Sequence, residues 1–599
     1  MRKFLFALFV IFSISKSNAQ GVHSPSLAAA DRIRHSSIVA PVEGSFVGEM
    51  VSDGSGALEI VQTDIDIPGN NAIPVRVSRR FIPGNYGKTN IFVNWELDLP
   101  HAYGVFSRLA PPTGWAVGWP APNRYKRCSL FSTPAGISFQ GGQWDADEYW
   151  NGNFIHVPGS GDRELLARGK YSHVPSDGFS YPIVTKEGDA VRCVALSTTS
   201  EAGSRGEGFE VVSSDGLIYT LNHMVSKIHS TLKKSNPLPK NLLGRASLNS
   251  ANFEISPLVS NNYVLARVQV KIFPTKVSDQ FGNFVEYNWS SKNPSQLLSI
   301  VASDGRAIYF NYDDAKADYV STITDGSRVW SYVSDHGDAG FPVTYPDGSR
   351  YSFSLEALHR ASARPIFAGC DEHRFTPGSF VGTVTGPSGV SVEFTLSKIE
   401  FGRSWVPRGC NIDVDGNESI KEHFIHTSLA LVKKVVKGPG LAKGGLIWNY
   451  EYGPANNCWS PGGFGVDGNA CTAASPTTRT VSVVDPRGGI TRRTFSNRFR
   501  GNEGLLLREE YGVSGAAVLR TVEYTYGSVE AAPYRAYNGI SIRNVGDYDT
   551  TSFFRPISEV RTSENGRAYV WRVASDCDGN SYCFDTRGRP VKVVKESFR

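Results

Sequence analysis

Ser303-Asp304-Gly305-Arg306, Thr324-Asp325-Gly326-Ser327-Arg328 and Pro346-Asp347-Gly348-Ser349-Arg350 punctuate the stretch from Val301 to Leu355. Each is followed by a short run that alternates aromatic or β-branched with polar residues: Ile308, Phe310 and Tyr312, then Val329 and Ser331, then Tyr351 and Phe353. The three glycines stand 21 and 22 residues apart. Asp-Gly suits the type I′ turn of a tight hairpin, because both central residues need positive φ and Gly adopts it without a Cβ clash. A turn that returns at a near-fixed period marks one supersecondary unit repeated. Each unit reads strand, turn, strand, and none could bury a hydrophobic face alone.

Variants extend the pattern in both directions. Ser214-Asp215-Gly216 precedes Ile218-Tyr219-Thr220-Leu221, and Pro387-Ser388-Gly389 precedes Val392 and Phe394. Asn565-Gly566-Arg567 precedes Tyr569-Val570-Trp571, and Phe584-Asp585-Thr586-Arg587-Gly588-Arg589 follows near the end. Any β-rich chain uses many such turns, but the Arg shared by several copies and the steady period favour a repeat. The expected fold is all-β: many short antiparallel strands and hairpins in a repeat array, or in sandwich- or propeller-like sheets.

The chain has 599 residues, room for two to four domains or one large array. Aromatic residues make up 12%, with 60 Gly and 33 Pro, which suits short strands joined by turns. With 40% hydrophobic and 20% charged residues the composition is that of a folded chain.

Met1 to Gln20 reads as a secretory signal: Arg2 and Lys3, an apolar run from Phe4 to Ile14, then Ser17-Asn18-Ala19 at the cleavage point. Export is therefore expected, to the periplasm, the cell surface or the medium. Loss of Arg2, Lys3 and Lys16 takes the formal charge from +5 to +2, and no basic block points to nucleic acid as a partner. No later apolar segment approaches the ~20 residues of a membrane-spanning helix. The remaining organisation reads as a loose arm over 20–45, a Trp-rich β domain over 46–205, a hairpin-repeat region over 206–400 and a C-terminal β region over 401–599.

Eight cysteines, at 128, 193, 370, 410, 458, 471, 577 and 583, all follow the signal. An even count in an exported chain points to disulfides. Cys458 with Cys471 and Cys577 with Cys583 are the first choices, ahead of Cys370 with Cys410 or Cys128 with Cys193; buried free thiols are the alternative.

Thr63-Asp64-Ile65-Asp66-Ile67-Pro68-Gly69, Val75-Arg76-Val77-Ser78-Arg79, Asn94-Trp95-Glu96-Leu97, Val277-Ser278-Asp279-Gln280-Phe281-Gly282-Asn283, the Asp-Gly-Arg units and Asn497-Arg498-Phe499 occur in this order. Together they resemble the N-terminal region of bacterial RHS/YD-repeat proteins, and Phe584 to Arg589 is similar to the repeat that names that family. The resemblance covers about 45 to 599 and implies a β-shell architecture of the kind that encloses a C-terminal toxin. Neither the cleavage segment that ends such a core nor a toxin module is legible here. The resemblance therefore implies a secreted or cell-surface scaffold, a binding or delivery component of a toxin or intercellular-competition system. Its partners would be cell-surface glycans or a downstream RHS or toxin polypeptide. A truncated product without independent function is the remaining alternative of that kind.

Two constellations could carry more specific chemistry. Trp144-Asp145-Ala146-Asp147-Glu148-Tyr149-Trp150 sets carboxylates between aromatic residues, so Trp144, Asp145, Asp147 and Trp150 are candidates for glycan contact. Held several ångströms apart, the carboxylates would make a carbohydrate-active enzyme, the alternative to a non-catalytic scaffold. Against this stands a solvated loop whose tryptophans pack on the sheet. Asn411, Asp413, Asp415, Gly416 and Glu422 fall at positions 1, 3, 5, 6 and 12 of an EF-hand-like loop, where oxygen ligands would suit calcium, the one cofactor considered. The competing reading is an ordinary Asp-Gly turn.

Overall fold

The structure, a computed structural model, describes residues 22–23 and 45–598 except 72, 85–90, 111–112, 118–122, 140–141, 200–205, 235–262, 314–318, 334–341, 363–365, 369–371, 413–417, 421, 463–468, 529–531, 536, 544–552, 576 and 578–581. It is nearly all β, with two one-turn helices, Ala146–Tyr149 and Glu356–His359, among the described residues. The alternation read from sequence sets which side chains turn inward. In Ala307–Tyr312, Ile308 and Phe310 are buried while Tyr309 stands out; in Val329–Tyr332 the inward pair is Trp330 and Tyr332, and Val329 is exposed.

Most strands belong to one large sheet. From Glu207–Val212 through Ile218–Lys234 and Tyr263–Ser278, each long strand pairs antiparallel with the next. The ribbon continues through Phe284–Trp289, Leu297–Ala302, Ala307–Tyr312 and Val320–Thr324. It ends in the hairpins Leu506–Val513 with Val518–Tyr526 and Ile557–Glu564 with Arg567–Val573, the last of which also pairs with Val593–Phe598. Tyr263–Ser278 is a branch point, because its outer edge takes Phe284–Trp289 at one end and His101–Ser107 along Arg267 to Ile272. Within the expected N-terminal arm, Val22–His23 pairs parallel with Ile218–Lys234.

The repeated turns fall where expected, but at two of the three positions the loop is one residue longer and built differently. At Gly305 and Gly348 the amide bonds back to the carbonyl three residues earlier, Ala302 and Tyr345, and the ladder closes between Ala302 and Arg306 and between Tyr345 and Ser349. These are three-residue loops with only the glycine left-handed (φ 89° and 81°); the aspartate instead caps the turn, Asp304 Oδ1 accepting from the Arg306 amide and Asp347 Oδ1 from that of Ser349. The expected type I′ turn is thus corrected to the three-residue form that ends in a left-handed bulge residue. Gly326 (φ 93°) occupies the first central position of a two-residue loop between Asp325 and Arg328. Asn565 and Gly566, both left-handed (φ 51° and 71°), match the I′ form.

A second, four-stranded sheet, Glu49–Val51, Leu58–Ile67, Val75–Phe81 and Glu96–Leu97, lies along the ribbon. The contacts run its whole length. Arg306 Nη1 donates to the Ile67 carbonyl at 2.9 Å, the Tyr332 hydroxyl to Asp64 at 3.0 Å, and the Leu431 amide to the Gly56 carbonyl at 2.8 Å. Lys434 meets Glu49 at 3.2 Å, and Arg493 meets Asp53 at 3.2 Å. One continuous hydrophobic core therefore joins this inner sheet to the ribbon, from Val47 to Tyr450.

The connection between Val518–Tyr526 and Ile557–Glu564 returns to the N-terminal half. Gly539–Ile540 pairs with Leu166–Arg168, and Arg543 grips Glu164 through two hydrogen bonds of 2.9 and 2.8 Å, both side chains almost fully enclosed. The late and early parts of the chain thus meet along a seam.

Among the described residues, three disulfides close loops of very different size: Cys128–Cys193, Cys458–Cys471 and Cys577–Cys583. The two short-range pairs are those the spacing favours, and the long-range Cys128–Cys193 pair joins them. Cys370 lies outside the described residues, and with it the pairing to Cys410. No helix among the described residues is long and apolar enough to cross a membrane.

Candidate functional site: a buried charge network

Where the inner sheet meets the branch of the ribbon, ionisable side chains from eight strands and the link after one of them converge. Sheet pairing itself places them. Arg80 and Glu96 are cross-strand partners, as are His101 and His156, and Tyr103 and Lys271. Arg80 donates to Glu96 at 3.2 Å, Lys271 reaches the other Glu96 oxygen at 3.0 Å, and Lys227 stands 3.8 Å from it. His156 lies between two carboxylates, Nε2 at 2.8 Å from Asp98 and Nδ1 at 2.9 Å from Asp162. Arg80 is also 3.9 Å from Glu59.

The electrostatics follow from this geometry. Burial pushes the Glu96 carboxyl up, but Lys271, Lys227 and Arg80 outweigh it and hold it well below the usual range. For His156, burial and the neighbouring Arg80 act downward, and the bonds to Asp162 and Asp98 outweigh them, so its pKa is raised. Arg80 Nη1 also stands 3.0 Å from Nδ1, so one guanidinium and two carboxylates meet at this ring. The ring of His101, 5.2 Å away, behaves oppositely: burial, then Lys271 and His156, hold its pKa well below the ordinary value, and the neutral ring's Nδ1 donates to the Leu99 carbonyl at 2.8 Å. The two rings are shifted in opposite directions, His156 up by its two carboxylates and His101 down by burial and its cationic neighbours.

Such a network resists change of geometry, because breaking any buried pair strands a charge away from water. Asp162 and Glu59 are its most solvent-exposed members, while Glu96, Asp98 and His156 are nearly enclosed. The arrangement is suited to locking the inner sheet to the ribbon. Its members span Glu59 to Lys271, with no local spacing to betray them. The one available signal is a charge set at each alternate position of Trp95-Glu96-Leu97-Asp98-Leu99, which reads as a solvent face and is in fact covered.

The acidic aromatic loop is built differently from a sugar platform. Trp144 and Trp150 are 1% and 0% exposed and belong to the main core, so neither ring offers a face for a sugar to stack on. The Trp150 indole donates instead to Asn153 Oδ1 at 3.0 Å. Asp145 is exposed and precedes the helix Ala146–Tyr149, its amide donating to Glu148 Oε2 at 2.8 Å; Asp147 is half-buried on that helix. The glycan-contact expectation for the two tryptophans is thereby corrected: large apolar rings on a short loop gain more from the core than from solvent.

Of the calcium candidates, Asn411 lies on the strand Cys410–Ile412, paired antiparallel with Glu418–Ile420, and Glu422 is buried. Asp413 and Asp415 lie outside the described residues. The flanks of that loop are strands rather than the helices of an EF-hand. No cluster of three or more His, Cys, Asp or Glu side chains placed to hold a metal occurs among the described residues.

Neither family models nor curated proteins yield a match to this chain.

Proposed function

We propose that the chain is an exported, non-catalytic β-scaffold of the RHS/YD-repeat kind, a binding or delivery component in intercellular competition whose partners are cell-surface glycans or a downstream toxin polypeptide. The observation that carries this reading is the run of antiparallel hairpins whose tight turns reuse one Gly-centred device, as at Gly305 and Gly348, laid over an inner sheet from the N-terminal part. The three disulfides support an oxidising destination. Fractionation with N-terminal sequencing tests export: the mature chain should begin at or near Gln20, and recovery of intact Met1 from the cytoplasm would remove the localisation. A glycan array run beside a polysaccharide hydrolysis assay tests the rest. Turnover that is abolished in Asp145→Ala and Asp147→Ala would replace the scaffold with a carbohydrate-active enzyme.

A further inference from the structure

The loop that joins Leu506–Val513 to Val518–Tyr526 differs in chemistry from the Asp-Gly turns. Gly512-Val513-Ser514-Gly515-Ala516-Ala517-Val518-Leu519 carries no charged side chain. Its composition suits a core, yet every residue from Val513 to Leu519 is exposed, Val513 at 47%, Val518 at 40% and Leu519 at 59%. Sheet register makes this tip project. On one side the pairing with Gly489–Ser496 ends where Gly489 faces Val513, and the Ser514 amide donates to the Gly488 carbonyl at 2.8 Å. On the other side the pairing with Ile557–Glu564 ends at Glu564, opposite Arg520. Gly515 to Leu519 therefore runs past the last strand pairing on both sides, and a Cβ added at Gly515 would meet nothing within 4 Å.

The base of the tip is cationic and aromatic. Arg520 lies over the Tyr511 ring at 5.6 Å, and the two neighbouring turns contribute the exposed Arg487 and Arg567. None of these three guanidinium groups is ion-paired among the described residues. Of the acids beside them, Asp485 accepts from the Arg487 and Gly489 amides at 2.7 and 2.9 Å, which leaves the exposed Glu564 against three cations. An apolar tip above a collar of arginine and tyrosine suits a lipid surface: the apolar side chains enter the acyl boundary while Tyr and Arg stay at headgroup depth. A protein partner gains less, because Val513, Val518 and Leu519 on a projecting turn cover far less area than a stable interface buries.

We propose that this hairpin tip docks the protein on an anionic lipid surface, with Val513, Val518 and Leu519 entering the acyl boundary and Arg487, Arg520 and Arg567 meeting headgroup phosphates. The proposal uses only this hairpin and its neighbours and does not rest on the scaffold reading. The test is co-sedimentation of the whole protein with vesicles of phosphatidylcholine alone and of phosphatidylcholine mixed with phosphatidylglycerol. Saturable binding to the mixed vesicles is expected, with binding to phosphatidylcholine alone about tenfold weaker. Val518→Ser combined with Leu519→Ser should weaken binding about tenfold or more. Arg487→Gln combined with Arg520→Gln should weaken it severalfold and reduce its salt dependence. All four side chains are exposed, so both variants should keep the wild-type melting temperature. Phe281→Ser, at a turn elsewhere where the ring is 80% exposed, should bind as the wild type does. Absence of binding to the mixed vesicles would overturn the proposal. So would undiminished binding in the serine variant, which would mean adsorption through charges elsewhere. Concentration-dependent self-association that is lost in the serine variant, without lipid binding, would reassign the tip to a second copy of this chain.

Discussion

The ribbon is one kind of structure under two kinds of cover. Between about Lys227 and Arg493 it lies against the inner sheet, and there charges are buried and paired: Lys271 with Glu96 and Lys434 with Glu49 across the contact, and Arg79 with Asp64 within the sheet beneath. From Leu506 onward the strands are mostly half-exposed, and the pairs Arg508–Glu510 and Arg572–Glu596 sit near solvent. The turns and alternation are alike in both regions. The difference teaches that the same ion pair is a lock in one place and nearly neutral in the other, because desolvation rather than distance sets its worth.

The sharpest way to break this comparison is Arg79→Ala. Its guanidinium meets Asp64 at 2.5 Å and lies among the rings of Phe92, Trp95, Tyr332 and Phe353. Removal leaves Asp64 buried without that partner and should cost about 3–5 kcal/mol in denaturant melts. A loss under 1 kcal/mol would show the inner sheet to be loosely held.

Disulfides should follow loop length rather than cover. Replacing Cys128 and Cys193 by serine opens a loop of 65 residues and should cost about 4 kcal/mol, whereas opening the six-residue loop of Cys577 and Cys583 should cost about 2 kcal/mol. The reverse order would mean that native-state strain or unfolded-state structure dominates.

His223 tests the covered region by pH. Its ring stacks on Trp289 at 4.4 Å, its Nε2 donates to the Pro294 carbonyl at 2.6 Å, and burial holds its pKa down to about 4. The folded value is below the unfolded one, so protons favour the unfolded chain. This contribution is complete above about pH 6.5 and is lost as pH falls toward 4, about 3 kcal/mol in all. His223→Gln should flatten the acid limb of a stability–pH curve. His156, with its raised pKa, acts in another window: its contribution is present below about pH 6.5 and fades as pH rises through its folded value.

Turn glycines should be indifferent to cover. Gly326→Val and Gly566→Val place a β-branched residue at positive φ with open space around the Cβ, so each should lose roughly 1–3 kcal/mol through backbone strain alone. Asp325→Asn keeps the oxygen that accepts from the Ser327 and Arg328 amides, and thermal melts should show little change. The smallest effect belongs to Arg572→Ala, whose partner Glu596 is 3.0 Å away on the exposed end of the ribbon. It should change stability by less than about 1 kcal/mol. A loss comparable to that of Arg79→Ala would erase the distinction between the two regions.

Short-range chemistry was legible in the chain because each signal sits within a few residues of its effect. Asp-Gly at a steady spacing marked the turns, and Cys458 and Cys471 lie close enough to suggest their bond. The turn type escaped, since only backbone geometry shows that Asp304 caps the loop through its side chain rather than turning left-handed. Tertiary structure alone decided that Trp144 and Trp150 face inward, that Cys128 meets Cys193, and that Arg80, Glu96, His156 and Lys271 form one network. The reason is physical. Hairpins are local and carry their own instructions, whereas burial and electrostatics depend on what the curling ribbon lays over each strand, which residues hundreds of positions apart determine together.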